Sequence, residues 1–438
     1  MRKYELMDRI ATNQNILDSF ESVKENKGCP GIDGMTITEA EQWLGENMPK
    51  LRRVLKSGRY LPKDLLKLEI PKPNGGKRKL GIPTVLDRVI QEAIRAKLEP
   101  YFEEQFSEFS YGFRPGRSQH DALKQCQKYV NAGYQIVVDI DLKQFFDNID
   151  HSRLMTIIAP RIKDRLVSRL IGRFLKAGER FEGQKRDPRA KHYTKEKGVP
   201  QGGPLSPLLS NILLDKLDKF LEKEGLKFVR YADDCRIFVK TEMEGWLAYK
   251  RAVEFLEKEL GLPVNEEKSQ VDDIDNRPFL GYKVSKDGKL HISRKALQKK
   301  RNELKRMTQR NRLIPRDLFE RLNAANRGWI NYFKLASDPR PIKLLDGLLR
   351  QRLRTNKLKS LKTRNNIFKT LWRLCRRNIK NASRKLRAYC LGVAKSGKGW
   401  VRRANTKAVK SAYTNRYFRD KGLFFMYDYW LGWQSSNT

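Results

Sequence analysis

Two apolar stretches that carry acids constrain this chain more than anything else in it. IVVDIDLKQFFDNID, residues 136–150, sets Asp139 and Asp141 at the end of a β-branched run, and KFVRYADDCRIFV, residues 227–239, sets Asp233 and Asp234 inside another. Both read as strands buried in a core. A carboxylate in such surroundings is costly or takes up a proton unless a cation compensates it. If the two stretches meet, the fold must supply that cation, and hard oxygen ligands select Mg2+, with Mn2+ as the substitute. Two such ions about 3.5–4 Å apart activate an attacking hydroxyl and stabilise a leaving oxygen in phosphoryl transfer. Side chains alternate along a strand, so Asp139 and Asp141 point the same way and are rivals for one role.

The charge is as uneven as the acids are concentrated. From His291 onward there are 39 Lys and Arg against 7 Asp and Glu, a net +32 of the total +41, and the first 290 residues carry the other +9. A nearly balanced half joined to a basic one suggests a folded catalytic body followed by a polyanion-gripping one. A solvated lysine surface would account for the charge but not for its asymmetry. Aromatics lie among the basic residues in GWVRRAN, SAYTNRYFRDKG and MYDYWLGW, which suits stacking on bases together with phosphate neutralisation. Nucleic acid is the expected partner and a membrane is not. No apolar run approaches the roughly 18 residues of a spanning helix, and the charged start MRKYELMDRIATNQN is not a signal peptide. Five scattered cysteines without a CxxC pair argue against a disulfide framework and a zinc module, and point to a reducing compartment. His120, His151, His192 and His291 are isolated, which favours structural or solvent-exposed roles over metal ligation.

Along the first hundred residues, helix-leaning segments are broken by one hairpin signal. LLKLEIPKPNGGKRKLGI sets Asn74-Gly75 between two short runs, with Lys72, Lys77, Arg78 and Lys79 around the tip. Such a tip is a weak phosphate-binding signal, and the P-loop spacing is absent. GVPQGGPLSPLLSNILLDKLDKFLEKEG predicts a helix capped by Ser206, with Pro207 in its first turn and Gly225 at its end. Its Gly-rich entrance is either a phosphate cradle at a helix N-terminus or a plain junction. WLAYKRAVEFLEKELG predicts another helix, stopped by Gly261 and Pro263. Strand, helix, strand pair and helix make an α+β layer, not a doubly wound sheet. Beyond residue 290 the chain turns to basic helices: a run from Ser293 to about Arg312, an apolar stripe of Leu318, Leu322, Ala325, Trp329 and Tyr332, and another of Ile342, Leu345, Leu349 and Leu353.

The ordered segments resemble the group II intron-encoded reverse transcriptases, also called maturases. NKGCPGIDG, IPKPNGGKRKLGIPTVLDRVIQEAI, FSYGFRPGRSQHDAL, VVDIDLKQFFDNIDH, GVPQGGPLSPLLSNILLDKLD, VRYADD, LGLPVNEEKS and PFLGY follow in the family's order over about residues 27–283, and LNAANRGWINYF extends the match. The resemblance implies a right-hand polymerase with an antiparallel palm sheet, an all-α thumb and a small basic C-terminal domain. Its expected boundaries are 1–290 for fingers and palm, 291–363 for the maturase X-like thumb and 364–438 for a DNA-binding domain. It assigns two Mg2+ ions to Asp141, Asp233 and Asp234, with the backbone carbonyl of Leu142 as a further ligand. Phe146, five residues after Asp141, would press on the sugar and exclude a 2′-OH, with core packing as the alternative. Lys72 and Arg78 match positions that hold the incoming triphosphate, and Gln201 begins the loop beneath its base and sugar. Lys268 could protonate departing pyrophosphate or simply be solvated. QGGPLSP at 201–207 is the version of the intron-encoded group, and NKGCPGIDG resembles its template-clamping loop. No CxxC or HNN-type cluster follows, as in the short bacterial type that lacks a C-terminal endonuclease domain, so second-strand cleavage is not expected.

The expected activity is RNA-directed DNA synthesis from dNTPs on an RNA template with a DNA primer or target, joined to binding of a group II intron RNA. Two readings stay beside it: a splicing maturase whose polymerase activity is dispensable, and a host-adopted repair polymerase, against which the intact Tyr-Ala-Asp-Asp weighs. The expected setting is the bacterial cytoplasm, in a nucleoid-associated ribonucleoprotein. Oligomeric state and the cognate RNA are not legible.

Overall fold

Seven strands organise the first part of the chain: β1 (Leu65–Pro71), β2 (Lys77–Ile82), β3 (Ile136–Ile140), β4 (Glu179–Arg180), β5 (Lys227–Tyr231), β6 (Asp234–Val239) and β7 (Gln270–Asp273). The computed structural model describes residues 5–71, 77–184, 195–309, 317–379 and 383–436, and the chain divides into two compact units, Met1–Arg277 and Pro278–Thr438. In the first unit, an all-antiparallel sheet runs in the order β5-β6-β3-β7, and a second sheet runs β2-β1-β4. β1 and β2 pair antiparallel from Leu66↔Ile82 to Pro71↔Lys77, as the hairpin signal predicts, while Asn74-Gly75 lies outside the described residues.

The four-stranded sheet is the floor on which both acidic segments sit. β6 reads buried at every position after Asp234, because helices cover both of its faces. The helix Glu242–Glu254 packs on β3, β6 and β7, the helix Gln119–Asn131 packs on β5, and the helix Ser206–Lys223 also packs on β5. The apolar sides of the helices Glu242–Glu254 and Ser206–Lys223, with Val138, Ile140, Ile237 and Val239, merge into one core. Ser206 does not cap its helix. Leu205 holds the N-cap position without a side-chain bond, and the Ser206 hydroxyl, already inside the first turn, donates to the Pro200 carbonyl at 2.7 Å. Pro207 does sit in the first turn, and Gly225 follows the C-cap at φ +68°.

Two arginines stand inside this apolar layer, one on either side of the acidic turn. Arg230 is fully buried and meets Asp218 through two bonds, Nε to Oδ1 at 2.7 Å and Nη2 to Oδ2 at 2.6 Å. Its Nη1 donates to Asn211 Oδ1 at 2.9 Å and to the Ala232 carbonyl at 2.8 Å. Asn211 in turn donates to the Gly112 carbonyl at 2.9 Å. A bidentate pair of this kind is tolerated in a core because every guanidinium nitrogen finds an acceptor. Its effect is to fix the two-residue turn of Ala232 and Asp233 between Tyr231 and Asp234. Ala232 holds φ +58°, a left-handed value that costs a non-glycine residue of order 1 kcal/mol or more, so surrounding contacts must enforce it. Gly112 is part of that enclosure: a Cβ there would lie 2.2 Å from the Ala232 nitrogen.

The second unit opens with a hairpin of β8 (Tyr282–Val284) and β9 (Leu290–Ile292) and continues as helices. Ser293 caps the helix Arg294–Met307. In the helix Leu318–Phe333 the fully buried line is Leu318, Leu322, Asn326, Ile330 and Phe333, whereas the predicted Ala325, Trp329 and Tyr332 are half-buried on its flank. The stripe was misread because the large aromatics mark the edge of the packed face and Asn326 occupies its centre. In Arg340–Ser360 the predicted Ile342, Leu345, Leu349 and Leu353 are all buried. The final helix, Met426–Ser435, returns to the bundle: Asp346 accepts the Met426 and Tyr427 N–H groups, and Trp430 Nε1 donates to the Ala336 carbonyl at 3.0 Å. Among the described residues no helix is long and apolar enough to cross a membrane.

Removing one partner of the Arg230 pair leaves a buried charge without compensation. Asp218→Ala is expected to lower the stability of the first unit by about 3–5 kcal/mol, read as a shifted denaturant midpoint; an unchanged midpoint would show the pair to be dispensable.

Candidate active site

The tip of the β5–β6 hairpin and the end of β3 open onto one cleft of about 750 Å3. Asp141 and Asp233 both line it, as do Leu142, Phe146, Gln201 and Lys268. Asp141 lies one residue past β3, where ladder pairing has ended and the chain can turn. Its N–H donates to Ser269 Oγ at 3.0 Å, its carbonyl accepts the Asn265 N–H at 2.8 Å, and Asn265 Nδ2 reaches its Oδ1 at 3.3 Å. Lys268 Nζ stands 3.7 Å from the same oxygen. The Asp141 side chain remains 40% exposed, so a ligand can reach it.

Asp234 belongs to the same acidic group. Its pKa is pushed up to about 6, first by desolvation and then by the charges of Asp233, Asp141 and Asp139. Protein encloses the carboxylate on most sides, yet it is solvent-exposed on the remaining one. That crowding is an electrostatic deficit of the kind a divalent cation removes, and an all-oxygen donor set suits a hard ion. Among the described residues no group of three or more His, Cys, Asp or Glu side chains is placed to hold a metal ion; of the acidic group, Asp141 and Asp233 line the cleft.

Geometry separates the two rivals on the first segment. Asp139 pairs in register with Arg236 and accepts from its Nε at 2.6 Å and from Arg277 Nε at 2.8 Å. Its charge is therefore spent on two guanidinium groups. Asp141, two residues on, faces Lys268 and the cleft. Leu142 bridges to Val264, and the flanking backbone bonds use the carbonyls of Pro263 and Asp141, not that of Leu142.

Phe146 and Gln201 stand where this cleft adjoins a second one of about 670 Å3, which Gly28, Arg88, Arg95 and Phe113 also line. Phe146 is half-buried and packs edge-on against Phe145 at 5.1 Å. The loop that delivers Gln201 is laced to the Phe146 segment: Val199 N–H donates to the Phe146 carbonyl, Gly198 N–H to Ile149, and His151 N–H to the Glu196 carbonyl. Both ring nitrogens of buried His151 meet carbonyls as well, Lys195 at 3.0 Å and Gly198 at 2.7 Å. The histidine is thus a structural clamp, as its isolation in the sequence suggests, and burial pushes its pKa down. The Gln201 carbonyl accepts the Gly81 N–H at 3.2 Å, which ties the loop to β2.

Lys72 lies outside the described residues, and so does the side chain of Arg78, whose backbone pairs with Ile70. Its strand neighbours Lys77 and Lys79 line the cleft instead. Sequence reasoning noted both lysines only as part of a weak phosphate-binding signal at the hairpin tip. Asn265 was missed altogether, although it stands in the same LGLPVNEEKS segment as Lys268; nothing in the sequence says that this loop folds back onto Asp141.

The profile of the reverse transcriptase (RNA-dependent DNA polymerase) family matches residues 70–284, and that of the group II intron maturase-specific domain matches residues 297–373. Protein YkfC of Escherichia coli K12 is 31% identical over 327 residues, covering 65% of this chain and 84% of its own length. The group II intron-encoded protein LtrA of Lactococcus lactis subsp. cremoris is 41% identical over 213 residues, 48% of this chain, and the match spans only 34% of LtrA. Among solved structures, the apo telomerase from Candida Tropicalis overlays with a TM-score of 0.44 at 12% identity, covering 80% of this chain and 65% of that one.

A divalent ion that binds only the folded acidic cleft must stabilise it. Mg2+ at about 100-fold its dissociation constant is expected to add about 2.7 kcal/mol to the metal-free protein, seen as a raised Tm. Asp141→Ala and Asp233→Ala should each lose most of that increment; an equal Mg2+ shift in both variants would place the ion elsewhere.

Proposed function

This chain belongs to the group II intron-encoded reverse transcriptase/maturase family, and on that footing we propose that it is an RNA-directed DNA polymerase that copies RNA from a DNA primer. The observation that carries the reading is the meeting of Asp141, Asp233, Phe146 and Gln201 around one cleft. The primer O3′–Pα bond forms, the bond from Pα to the β-phosphate oxygen breaks, and pyrophosphate leaves. Two divalent cations, Mg2+ or Mn2+, held by Asp141, Asp233, Asp234 and the Leu142 carbonyl, would supply activation of the hydroxyl and neutralisation of the leaving charge.

The chain's own residues do the positioning. Gln201, tied to β2 and to the Phe146 segment, supports the base and sugar of the incoming dNTP. Phe146 closes the space where a 2′-OH would stand. Lys72 and Arg78 hold the triphosphate, and Lys268, beside Asp141, gives a proton to the departing pyrophosphate. In this reading residues 1–290 act as fingers and palm, 291–363 as the thumb and 364–438 as a basic DNA-binding domain.

The match of a maturase-specific domain to residues 297–373 favours a second, compatible role in gripping group II intron RNA for splicing and mobility. The net +32 beyond residue 290 suits that grip. The setting proposed is a ribonucleoprotein at the bacterial nucleoid, with DNA as its target.

Asp233→Ala is expected to abolish primer extension while leaving RNA affinity, and its linear fall of log affinity with log salt, unchanged; continued synthesis would refute the assignment. Phe146→Ala is expected to raise incorporation of ribonucleotides relative to deoxyribonucleotides, and an unaltered ratio in single-nucleotide kinetics would return Phe146 to the core.

A further inference from the structure

A side cavity of about 210 Å3 opens beside the main cleft and shares a wall with it: Lys79, Gln144, Asp147 and Gln201 line both. Its other charged groups are Lys67, Lys195, Lys197 and Glu179. Four lysines against two carboxylates leave a net +2 in a space smaller than a third of the main cleft. The fold assembles this charge from distant segments. Lys67 comes from β1, which pairs in parallel with β4 through Leu65↔Glu179. Glu179 then holds two ammonium groups, Lys195 in a close ion pair and Lys67 at 3.9 Å. Lys195 and Lys197 arrive on the strap that His151 clamps.

The lining also says what the cavity does not take. Among the described residues its lining contains no aromatic side chain on which a base could stack, and it is too small to hold a nucleotide in addition to its phosphates. Small backbone positions at Gly81 and Gly198 and a ring of ammonium groups suit a compact polyanion of tetrahedral oxygens. The only such species generated at the shared wall is the product of nucleotidyl transfer. Resting on the polymerase reading above, we propose that this lysine-lined side cavity binds the departing pyrophosphate and gives it a way out that does not pass back over the bound primer terminus.

The site is tested with pyrophosphate itself. Calorimetric titration of sodium pyrophosphate into the full-length protein is compared with the same titration of the double variant Lys195→Ala/Lys197→Ala. Loss of the charge-assisted bonds is expected to weaken binding about tenfold. The inhibition constant of pyrophosphate in primer extension should rise in step, with KM for dNTP and affinity for template–primer unchanged. An unchanged pyrophosphate affinity overturns the proposal, and so does a parallel loss of template–primer affinity, which would make the cavity a phosphodiester contact. Lys67→Gln, which lies on a different element, serves if the double variant loses its cooperative thermal transition. Should the wild-type protein synthesise no cDNA, the polymerase reading fails by itself, and the titration still decides the cavity.

Discussion

The buried pair of Arg230 and Asp218 is the constraint on which the rest of the first unit depends. A guanidinium in the middle of a strand would ordinarily argue against burial, because its desolvation exceeds what a single contact returns. Here its contacts serve one end: Asp218 comes from the helix Ser206–Lys223, Asn211 from two turns earlier on the same helix, and the last acceptor is the carbonyl of Ala232 in the acidic turn. Helix, strand and turn are thereby locked into one register. The left-handed Ala232 and the close approach of Gly112 are consequences, since only a turn held from several sides keeps such a conformation.

The same charge logic, used with opposite sign, makes the cleft. Asp139 and Asp218 are neutralised by arginines and become structural. Asp141 and Asp233 line the open cleft, and their charges, after desolvation, raise the pKa of the neighbouring Asp234. Under the polymerase reading proposed above, that acidic crowding is what would attract divalent ions. Lys77 and Lys79 of β2 line the same cleft as Asp141 and Asp233, whereas Lys195 and Lys197 line the side cavity.

Much of this was legible in the chain. The two acidic strands, the hairpin of β1 and β2, the helix ended by Gly225 and the basic helices beyond residue 290 follow from periodicity and turn chemistry, which are local; that the two strands pair is a tertiary outcome. The choice between Asp139 and Asp141 was not open to such reasoning, because both point the same way and differ only in the neighbours that tertiary folding brings to them. Ser206 failed as a cap for a related reason: the preceding loop is tied to β2 and to Phe146, and that tie, not the residue's preference, fixes where the helix begins. The stripe of Leu318–Phe333 slipped because size was read as burial, while Asn326 took the centre of the face.

What the sequence by itself determined is the chemistry: oxygen ligands for a hard cation, a basic half for polyanions, and an α+β layer to carry the acids, because residue type and spacing act through propensity, period and charge. Only the tertiary structure decided which carboxylates are paired with arginines and which line the cleft, that His151 and Asn265 are supports of the cleft, and that lysines from β1, β2 and a distant strap enclose a second cavity. Those outcomes depend on contacts between residues tens to hundreds of positions apart, and no local pattern encodes a partner at that range.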